Sequence, residues 1–287
     1  MTIKTLVLAG GAYKGLMLLG ALNYLNSIKY YNVEDITDIY GTSVGSLIGV
    51  IICLKLDWKD IVDYTINKPW HNIIKGPSEL ILNIINKKGM LDKTFFDSVF
   101  LTLFKNSGLN INSTLDDLFK FSDICLNLFT VNLTTFKLER FNYKTHPDLN
   151  IIEAVYMSCC LPVVFQPIKY KGNYYIDGGL KNPYPLNVCL EDFDNEDEIL
   201  SMDIINEDFS PLDENTSLFS FGYYLFYRLM KESYNYKVNK KIKNEIILPA
   251  QHLNISDAQL LIKSSDKRKE YIKKGETYVK LFLKYKL

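Results

Sequence analysis

Short apolar segments alternate with longer segments whose apolar residues recur every three or four positions. Lys4–Ala9 has the pattern of a short buried strand, and Gly15–Ile28 places leucines on one helical face. The short strand Asp38–Gly41 is followed by Val44–Leu56, which is longer than most strands and predicts a buried helix. The N-terminal part therefore predicts strand, helix, strand and helix.

The same alternation continues to the end of the chain. Residues 57–125 have a helical but irregular pattern, with sequences typical of helix starts at "LDKTFFDSVF" and "STLDDLF". The further predicted elements are strands Leu126–Leu133 and Thr135–Phe141, helix Asn150–Cys160, strands Ile168–Tyr170 and Tyr174–Ile176 around a hairpin turn, strand Ile199–Ile204, and helices Ser217–Lys240 and Ser256–Tyr285. Strands alternating with helices predict a layered α/β fold.

Length and composition favour one globular domain. The chain has 287 residues, of which 47% are hydrophobic, and it contains no internal repeat or low-complexity linker. We expect a single domain over 1–287, with a core at 4–205 and a mainly helical extension of the same domain at 206–287.

Charge and cysteine usage exclude several classes of function. The 33 basic and 33 acidic residues balance, which argues against a nucleic-acid partner. Five cysteines without regular spacing indicate reduced thiols and no zinc site. We find no signal peptide and no apolar run long enough to cross a membrane, so we expect an intracellular protein, cytoplasmic or peripheral at membranes.

A glycine-rich segment, Gly10-Gly11-Ala12-Tyr13-Lys14-Gly15, joins the first predicted strand to the first predicted helix. Glycines let backbone N–H groups point outward together, and a helix N-terminus adds partial positive charge, so such a loop binds an anion. The anion is either a phosphate or the transient oxyanion of acyl transfer. An ordinary strand–helix turn is the alternative. The spacing excludes a P-loop, and Ala12 breaks the dinucleotide-binding pattern.

The second segment, Gly41-Thr42-Ser43-Val44-Gly45, matches G-x-S-x-G between a predicted strand and a predicted helix. The small residues at Gly41 and Gly45 allow a sharp turn that exposes the Ser43 hydroxyl as a nucleophile. The alternative is that Ser43 is an ordinary helix N-cap.

The third segment, Tyr175-Ile176-Asp177-Gly178-Gly179, ends a predicted strand in an aspartate followed by two glycines. We expect this turn to leave the Asp177 carboxylate at the carboxyl edge of the sheet, where ligands of α/β proteins gather. A turn-forming Asp-Gly pair is the alternative.

A serine nucleophile needs a base, and the sequence offers two kinds. Ser43, Asp177 and His252 follow the chain order of an α/β-hydrolase triad. Against it, only one strand–helix unit precedes Ser43. Asp177 acting directly as the base is the second arrangement, which needs tight geometry and a well-stabilised oxyanion. His71 and His146 are interpreted as loop histidines.

The three segments, in this order, resemble the patatin-like phospholipase family. "MSCCLPVVFQP" (157–167) and "DGGLKNPYP" (177–185) resemble further segments of that family, with Asn182 and Pro185 in place. The resemblance covers about residues 4–205. One departure is Ala12, which stands where the family usually has a third successive glycine, so Ala12 would be strained if the turn requires a positive φ.

The resemblance implies a three-layer α/β fold with a mostly parallel sheet and a Ser43–Asp177 dyad. It also implies an oxyanion hole from the N–H groups of Gly10, Gly11 and Ala12, supported by Lys14, Gly15, Gly41, Gly45, Gly178 and Gly179. The implied activity is hydrolysis of lipid carboxylic esters, in phospholipids or acylglycerols, without metal or organic cofactor. A catalytically idle relative that binds lipid or a protein partner is the alternative from another class.

The segment "SLFSFGYYLFYRLMKESYNYK" (217–237) carries dense aromatic residues followed by basic ones. A peripheral contact with a membrane surface is one interpretation. A helix that packs on the core is the other, and it is favoured because amphipathic helices usually face the core.

Overall fold

The strands and helices follow the alternation expected from the sequence. The structure, a computed structural model, describes residues 2–73, 77–105, 107–206, 240–251 and 255–286, with seven isolated positions between 214 and 228. The strands in this part are β1 (Thr5–Leu8), β2 (Asp38–Thr42), β3 (Gly89–Leu91), β4 (Cys125–Asn132), β5 (Lys137–Phe141), β6 (Val163–Phe165), β7 (Ile168–Tyr170), β8 (Asn173–Asp177), β9 (Ile199–Asn206) and β10 (Glu245–Ala250).

The described helices are distributed along the chain from Gly15 to Lys286. They are α1 (Gly15–Ser27), α2 (Val44–Cys53), α3 (Trp58–Asn67), α4 (Pro77–Lys87), α5 (Thr94–Phe104), α6 (Leu115–Ser122), α7 (Ile151–Cys159), α8 (Leu186–Asp192), α9 (Ile255–Lys263) and α10 (Ser265–Lys286). Short 3-10 segments join several of them.

One large sheet organises the molecule. Its strand order is β10-β9-β1-β2-β4-β8-β7, with β5 also paired to β4, and the five strands from β10 to β4 are parallel. The expected α/β fold with a mostly parallel sheet flanked by helices is confirmed. A separate pair of short strands, β3 and β6, lies outside this sheet.

The central strands are buried on both faces, which explains their continuous apolar sequences. Leu6 and Leu8 of β1 belong to the larger core, together with residues of α1, α2, α5, α7 and α10. Val7 and Ala9 belong to a smaller core on the opposite face, where α8 packs. The sheet is therefore the middle of three layers.

Strand β8 brings Asp177 into the sheet from an unexpected direction. It runs antiparallel to β4, with Asp177 opposite Thr130, one residue beyond the level at which Phe129 pairs with Thr42. Asp177 therefore lies at the carboxyl edge because its strand enters from beyond that edge and stops there. The position follows from the sequence pattern, but the antiparallel direction does not.

Two glycines allow α10 to lie directly on α1. A Cβ on Gly20 would lie 1.9 Å from the Ile272 carbonyl oxygen, and a Cβ on Gly275 would lie 1.9 Å from the Met17 carbonyl oxygen. The two backbones thus touch through reciprocal positions that admit no side chain. This contact fixes the C-terminal helix against the helix that begins at the glycine-rich loop.

Most element predictions agree with the structure, and five segments differ. The sequence pattern does not predict β3, β6, β10 or α8, and the predicted helix Ser256–Tyr285 is interrupted at Ser264 into α9 and α10. The predicted helix Ser217–Lys240, with the membrane interpretation of 217–237, lies outside the described residues apart from isolated positions.

Candidate active site

Ser43 occupies a strained turn between β2 and α2. Its backbone has φ 54° and ψ −125°, a positive φ that side-chain-bearing residues rarely adopt. It stands at the N-cap position of α2, yet its side chain makes no capping hydrogen bond. The interpretation of Ser43 as an ordinary N-cap is therefore wrong, because the hydroxyl is directed elsewhere.

The glycines around Ser43 are required by close backbone approaches. A Cβ on Gly41 would lie 2.7 Å from the carbonyl group of Gly45, and one on Gly45 would lie 2.2 Å from the Leu8 carbonyl oxygen. The turn can close only because both positions lack a side chain. This is the physical basis of the G-x-S-x-G spacing in this chain.

The Ser43 hydroxyl donates a hydrogen bond directly to Asp177. The Oγ–Oδ2 distance is 2.7 Å, and the two residues are 8% and 4% exposed. The second carboxylate oxygen, Oδ1, accepts from the Gly179 N–H at 2.6 Å. Burial raises the pKa of Asp177 to about 6, although the bonds from Ser43 and Gly179 act to lower it. A carboxylate with a raised pKa is a stronger base than an exposed one.

Ser158, near the end of α7, fixes the backbone of the turn at Ser43 by a hydrogen bond. The Ser43 N–H donates to Ser158 Oγ at 3.0 Å, and that hydroxyl donates to the Phe129 carbonyl oxygen at 2.6 Å. A buried relay thus links α2, α7 and β4. The sequence pattern does not single out Ser158, although the residue lies in the small-residue stretch "MSCC" that resembles the family.

The segment after Asp177 is tied to both of the other motifs. The Thr42 hydroxyl donates to the Asn182 carbonyl oxygen at 2.9 Å, and the Gly10 N–H donates to the Pro183 carbonyl oxygen at 2.7 Å. The expectation that Gly10 contributes an oxyanion donor therefore conflicts with this conformation, because its N–H already has an acceptor. Gly10 instead anchors the glycine-rich loop beside Ser43.

Gly11 and Ala12 fit the expected donor role better. Both line the same cavity as Ser43, and their N–H groups have no acceptor among the residues the structure describes. Ala12 has φ 50°, so the strain expected for a side chain at this position is present. A methyl group here raises the energy of the loop without changing its backbone donors.

Replacing Ala12 by glycine is expected to stabilise the fold by about 0.5–1 kcal/mol, because glycine adopts a positive φ without steric cost. Urea unfolding measures the change. The matched control is Ala21→Gly in α1, where helical geometry gives glycine no advantage and destabilisation of about 1 kcal/mol is expected. Equal losses at both positions would contradict the assigned backbone strain.

The remaining motif residues shape the space around the pair. Lys14 is buried, and burial lowers the pKa of its ammonium group to about 8. Gly15 is covered by the Val44 side chain, which joins the start of α1 to the start of α2. A Cβ on Gly178 would lie 2.2 Å from the Phe129 carbonyl oxygen, and one on Gly179 would lie 2.8 Å from Asp177 Oδ1.

A cavity of about 1220 Å³ contains the pair and the glycine-rich loop. Ser43, Asp177, Gly11 and Ala12 line its polar part. Much of the remaining wall is apolar and comes from α1, α2 and α5, for example Leu19, Leu47, Ile51, Phe96, Val99 and Leu103. The arrangement places the Ser43 hydroxyl and the Asp177 carboxylate beside a large apolar surface, which suits a ligand with a long apolar part.

Neither histidine in the described part of the chain lies at the cavity that contains Ser43. The His146 ring packs at a tilt against Phe141 with ring centroids 4.2 Å apart, and neither His71 nor His146 lines the cavity. His252 lies outside the described residues. Among described residues, no three His, Cys, Asp or Glu side chains come together to hold a metal ion. No described helix combines the length and apolarity needed to cross a bilayer.

Comparison with known proteins matches one family. The family model described as "Patatin-like phospholipase" matches residues 6–190. "Probable lipid hydrolase 463L" of Invertebrate iridescent virus 6 is 32% identical over 196 residues, which cover 66% of this chain and 63% of that protein. "Uncharacterized protein R571" of Acanthamoeba polyphaga mimivirus is 27% identical over 194 residues, covering 67% and 63%. The match thus spans less than two thirds of both relatives.

Two solved structures share the fold. VipD from Legionella pneumophila superposes with a TM-score of 0.57 at 17% identity, over 99% of this chain and 67% of that chain. The type III effector protein ExoU superposes with a TM-score of 0.51 at 13% identity, over 100% of this chain and 53% of that chain. With the family match over more than half of its length, the chain belongs to the patatin-like phospholipase family.

Proposed function

We propose that the protein is a lipid acyl hydrolase of phospholipase A type, with Ser43 as nucleophile and Asp177 as general base. The observation that carries the proposal is the 2.7 Å hydrogen bond from Ser43 Oγ to Asp177 Oδ2 inside a cavity with extensive apolar walls. Family membership and the relative named as a probable lipid hydrolase support the same class of activity.

Acylation follows from the positions of these groups. Asp177 takes the hydroxyl proton as Ser43 Oγ attacks the ester carbonyl carbon, and the carbonyl oxygen becomes an oxyanion. The N–H groups of Gly11 and Ala12 and the N-terminus of α2 stabilise that charge. The ester C–O bond then breaks, and Asp177 returns the proton to the departing alcohol oxygen.

Deacylation repeats the sequence with water. Asp177 takes a proton from a water molecule as the water oxygen attacks the acyl carbon on Ser43. The bond from that carbon to Ser43 Oγ then breaks, and Asp177 gives the proton to Ser43 Oγ. The products are a free fatty acid and the regenerated hydroxyl. The second bond of Asp177, from Gly179, keeps the carboxylate oriented through both halves of the reaction.

The direct contact argues against the triad alternative. In a Ser-His-Asp arrangement the imidazole stands between hydroxyl and carboxylate. Here the Ser43 hydroxyl donates directly to one carboxylate oxygen of Asp177, and the Gly179 N–H donates to the other. This arrangement leaves no room for an imidazole, such as that of His252, between the hydroxyl and the carboxylate. The same bond disfavours the idle-relative alternative, because binding a lipid or a protein partner requires neither the positive φ of Ser43 nor a hydrogen bond from its hydroxyl to a buried carboxylate.

The substrate class follows from the cavity walls. Phospholipids are proposed first and acylglycerols next, since both carry a carboxylic ester between a long apolar chain and a polar group. Such substrates lie in membranes or lipid droplets, so we propose peripheral contact with a lipid surface.

We further propose that the chain forms one domain with a core at 4–205 and an extension at 206–287. Parallel pairing of β10 with β9 and the close contact of α10 with α1 support this organisation.

Release of fatty acid from phosphatidylcholine vesicles, measured beside a Ser43→Ala variant, tests the proposed function. A fluorophosphonate probe provides a second readout, because it labels only an activated serine. Hydrolysis and labelling that both depend on Ser43 support the proposal. Absence of both in the folded wild-type protein would favour the idle-relative alternative.

The activity is expected to fall as pH decreases through about 6, by about tenfold per pH unit below it, because Asp177 must be ionised to accept the Ser43 proton. Above that pKa the profile of kcat/KM is expected to be flat near neutrality. Hydrolysis of a soluble p-nitrophenyl ester across this range measures it. A decrease in activity centred near pH 3.8, the ordinary pKa of aspartate, would contradict the conclusion that burial raises the pKa of Asp177.

A further inference from the structure

Helix α4 (Pro77–Lys87) leaves two large apolar side chains exposed and buries a polar one. Leu82 and Ile85, three residues apart on one face, are 57% and 72% exposed. The polar residue between them in sequence, Asn83, is buried and donates from Nδ2 to the Met90 carbonyl oxygen at 3.3 Å. A surface helix normally buries its apolar face and exposes its polar one. The exposed face of α4 is therefore suited to an apolar partner.

The other side of α4 borders the cavity. Leu80 of the same helix lines the cavity, as do Met90 of β3 and Val163 of β6. β3 pairs with β6 through Gly89 and Val163, and Val163 is itself exposed at the surface. Helix α4 and the strands β3 and β6 thus form one border of the space that contains Ser43, and Val163 on this border is exposed.

Charge around the helix fits an anionic surface. α4 ends at Lys87, and Lys88 follows it, both exposed. The one acidic residue in the helix sequence, Glu79, lies in its first turn, away from these lysines. Apolar side chains beside lysines are the combination by which helices lie in the interface of anionic bilayers, with the ammonium groups at the level of the phosphates.

We propose that α4 is the element that docks the protein on a lipid bilayer. Leu82 and Ile85 insert among the headgroups and upper acyl chains, and Lys87 and Lys88 contact the phosphates. The inference rests on the proposed function in one respect: it takes the substrate to be a membrane lipid. A bilayer is favoured over a protein partner because the exposed apolar side chains lie beside lysines, and because α4 borders the cavity that contains Ser43, so a bound bilayer would lie next to that cavity.

The test uses the double variant Leu82→Gln/Ile85→Gln in a Ser43→Ala background, so that vesicles stay intact. Co-sedimentation with vesicles of equal parts phosphatidylcholine and phosphatidylglycerol is expected to show binding weakened by about tenfold or more. The matched control is Ile28→Gln/Phe121→Gln, whose side chains are 42% and 41% exposed. Ile28 directly follows α1, and Phe121 lies near the end of α6, just before β4, so both are at the amino edge of the sheet, away from the cavity at its carboxyl edge. This control is expected to bind vesicles as tightly as the Ser43→Ala protein.

Other results would overturn the proposal. These are unchanged vesicle binding in the α4 variant, or an equal loss in the control. A large drop in melting temperature or a change of oligomeric state of the α4 variant without vesicles would show that this face is covered by the chain itself or by a second copy. Hydrolysis of a soluble ester by proteins that retain Ser43 tests the proposed function separately, so either idea can fail alone.

Discussion

Replacing Ser43 by alanine is expected to reduce fatty-acid release by about 10⁴-fold or more, the usual scale for removal of a serine nucleophile. The acyl-enzyme cannot form without the hydroxyl, and the remaining donors only orient the ester. The fold is expected to persist, since the bond from the Ser43 N–H to Ser158 is made by the backbone. Steady-state hydrolysis and fluorophosphonate labelling measure the loss.

Ser201→Ala is the matched control for this change. Ser201 is a fully buried serine on β9, and its hydroxyl makes no hydrogen bond to any residue that the structure describes, Ser43 and Asp177 included. Its removal is expected to leave turnover within about threefold of the wild type, as for a substitution outside the site. Substantial residual activity in Ser43→Ala, or loss of labelling in Ser201→Ala alone, would refute the assignment of the nucleophile.

Replacing Asp177 by asparagine is expected to abolish turnover, by about 10³-fold or more, and at the same time to stabilise the protein. An amide cannot take the hydroxyl proton. Its oxygen can still accept from the Gly179 N–H, and its NH₂ can donate to Ser43 Oγ, so the geometry is retained. Loss of activity with gain of stability distinguishes a functional charge from a structural one.

The stability gain follows from proton linkage. An ordinary aspartate has a pKa of 3.8, whereas the pKa of Asp177 in the fold is about 6, so the folded state holds its proton more strongly than the unfolded state. Stability therefore falls as pH rises from about 4 to 6, by up to about 3 kcal/mol, and stays low above that range. Urea unfolding is expected to show the advantage of Asp177→Asn at pH 7 and its disappearance near pH 4. An asparagine variant less stable than wild type at neutral pH would contradict this.

The three motifs could be found from sequence because each combines a predicted strand end with residues of restricted use. Ser43 between two glycines and Asp177 before two glycines depend on backbone geometry that few other residues permit. The contact between Ser43 and Asp177 could not be derived from local pattern. It depends on β8 entering the sheet antiparallel to β4, which is a tertiary feature.

Other features escaped prediction for identifiable reasons. β3 and β6 have three residues each, too few for a periodicity. β10 contains Pro249, which counts against a strand, but β10 is the edge strand of the sheet, where a missing N–H is tolerated. Ser158 has the appearance of a small residue in an apolar helix, and only its bonds to Ser43 and Phe129 show its role. The bond from Gly10 to Pro183 joins two loops far apart in sequence.

Strand β1 lies between β2 and β9, so the folded unit extends beyond the end of the family match. The match ends at residue 190, but β1 pairs on one side with β9, which begins at Ile199. A fragment cut at the end of the match would leave β1 as an edge strand, with unpaired N–H and C=O groups and an apolar surface that invites aggregation. Because β1 leads directly into the glycine-rich loop, the pairing of β1 with β9 (Ile199–Asn206) also supports the proposed oxyanion donors. Formation of the site therefore depends on residues that lie beyond the end of the family match.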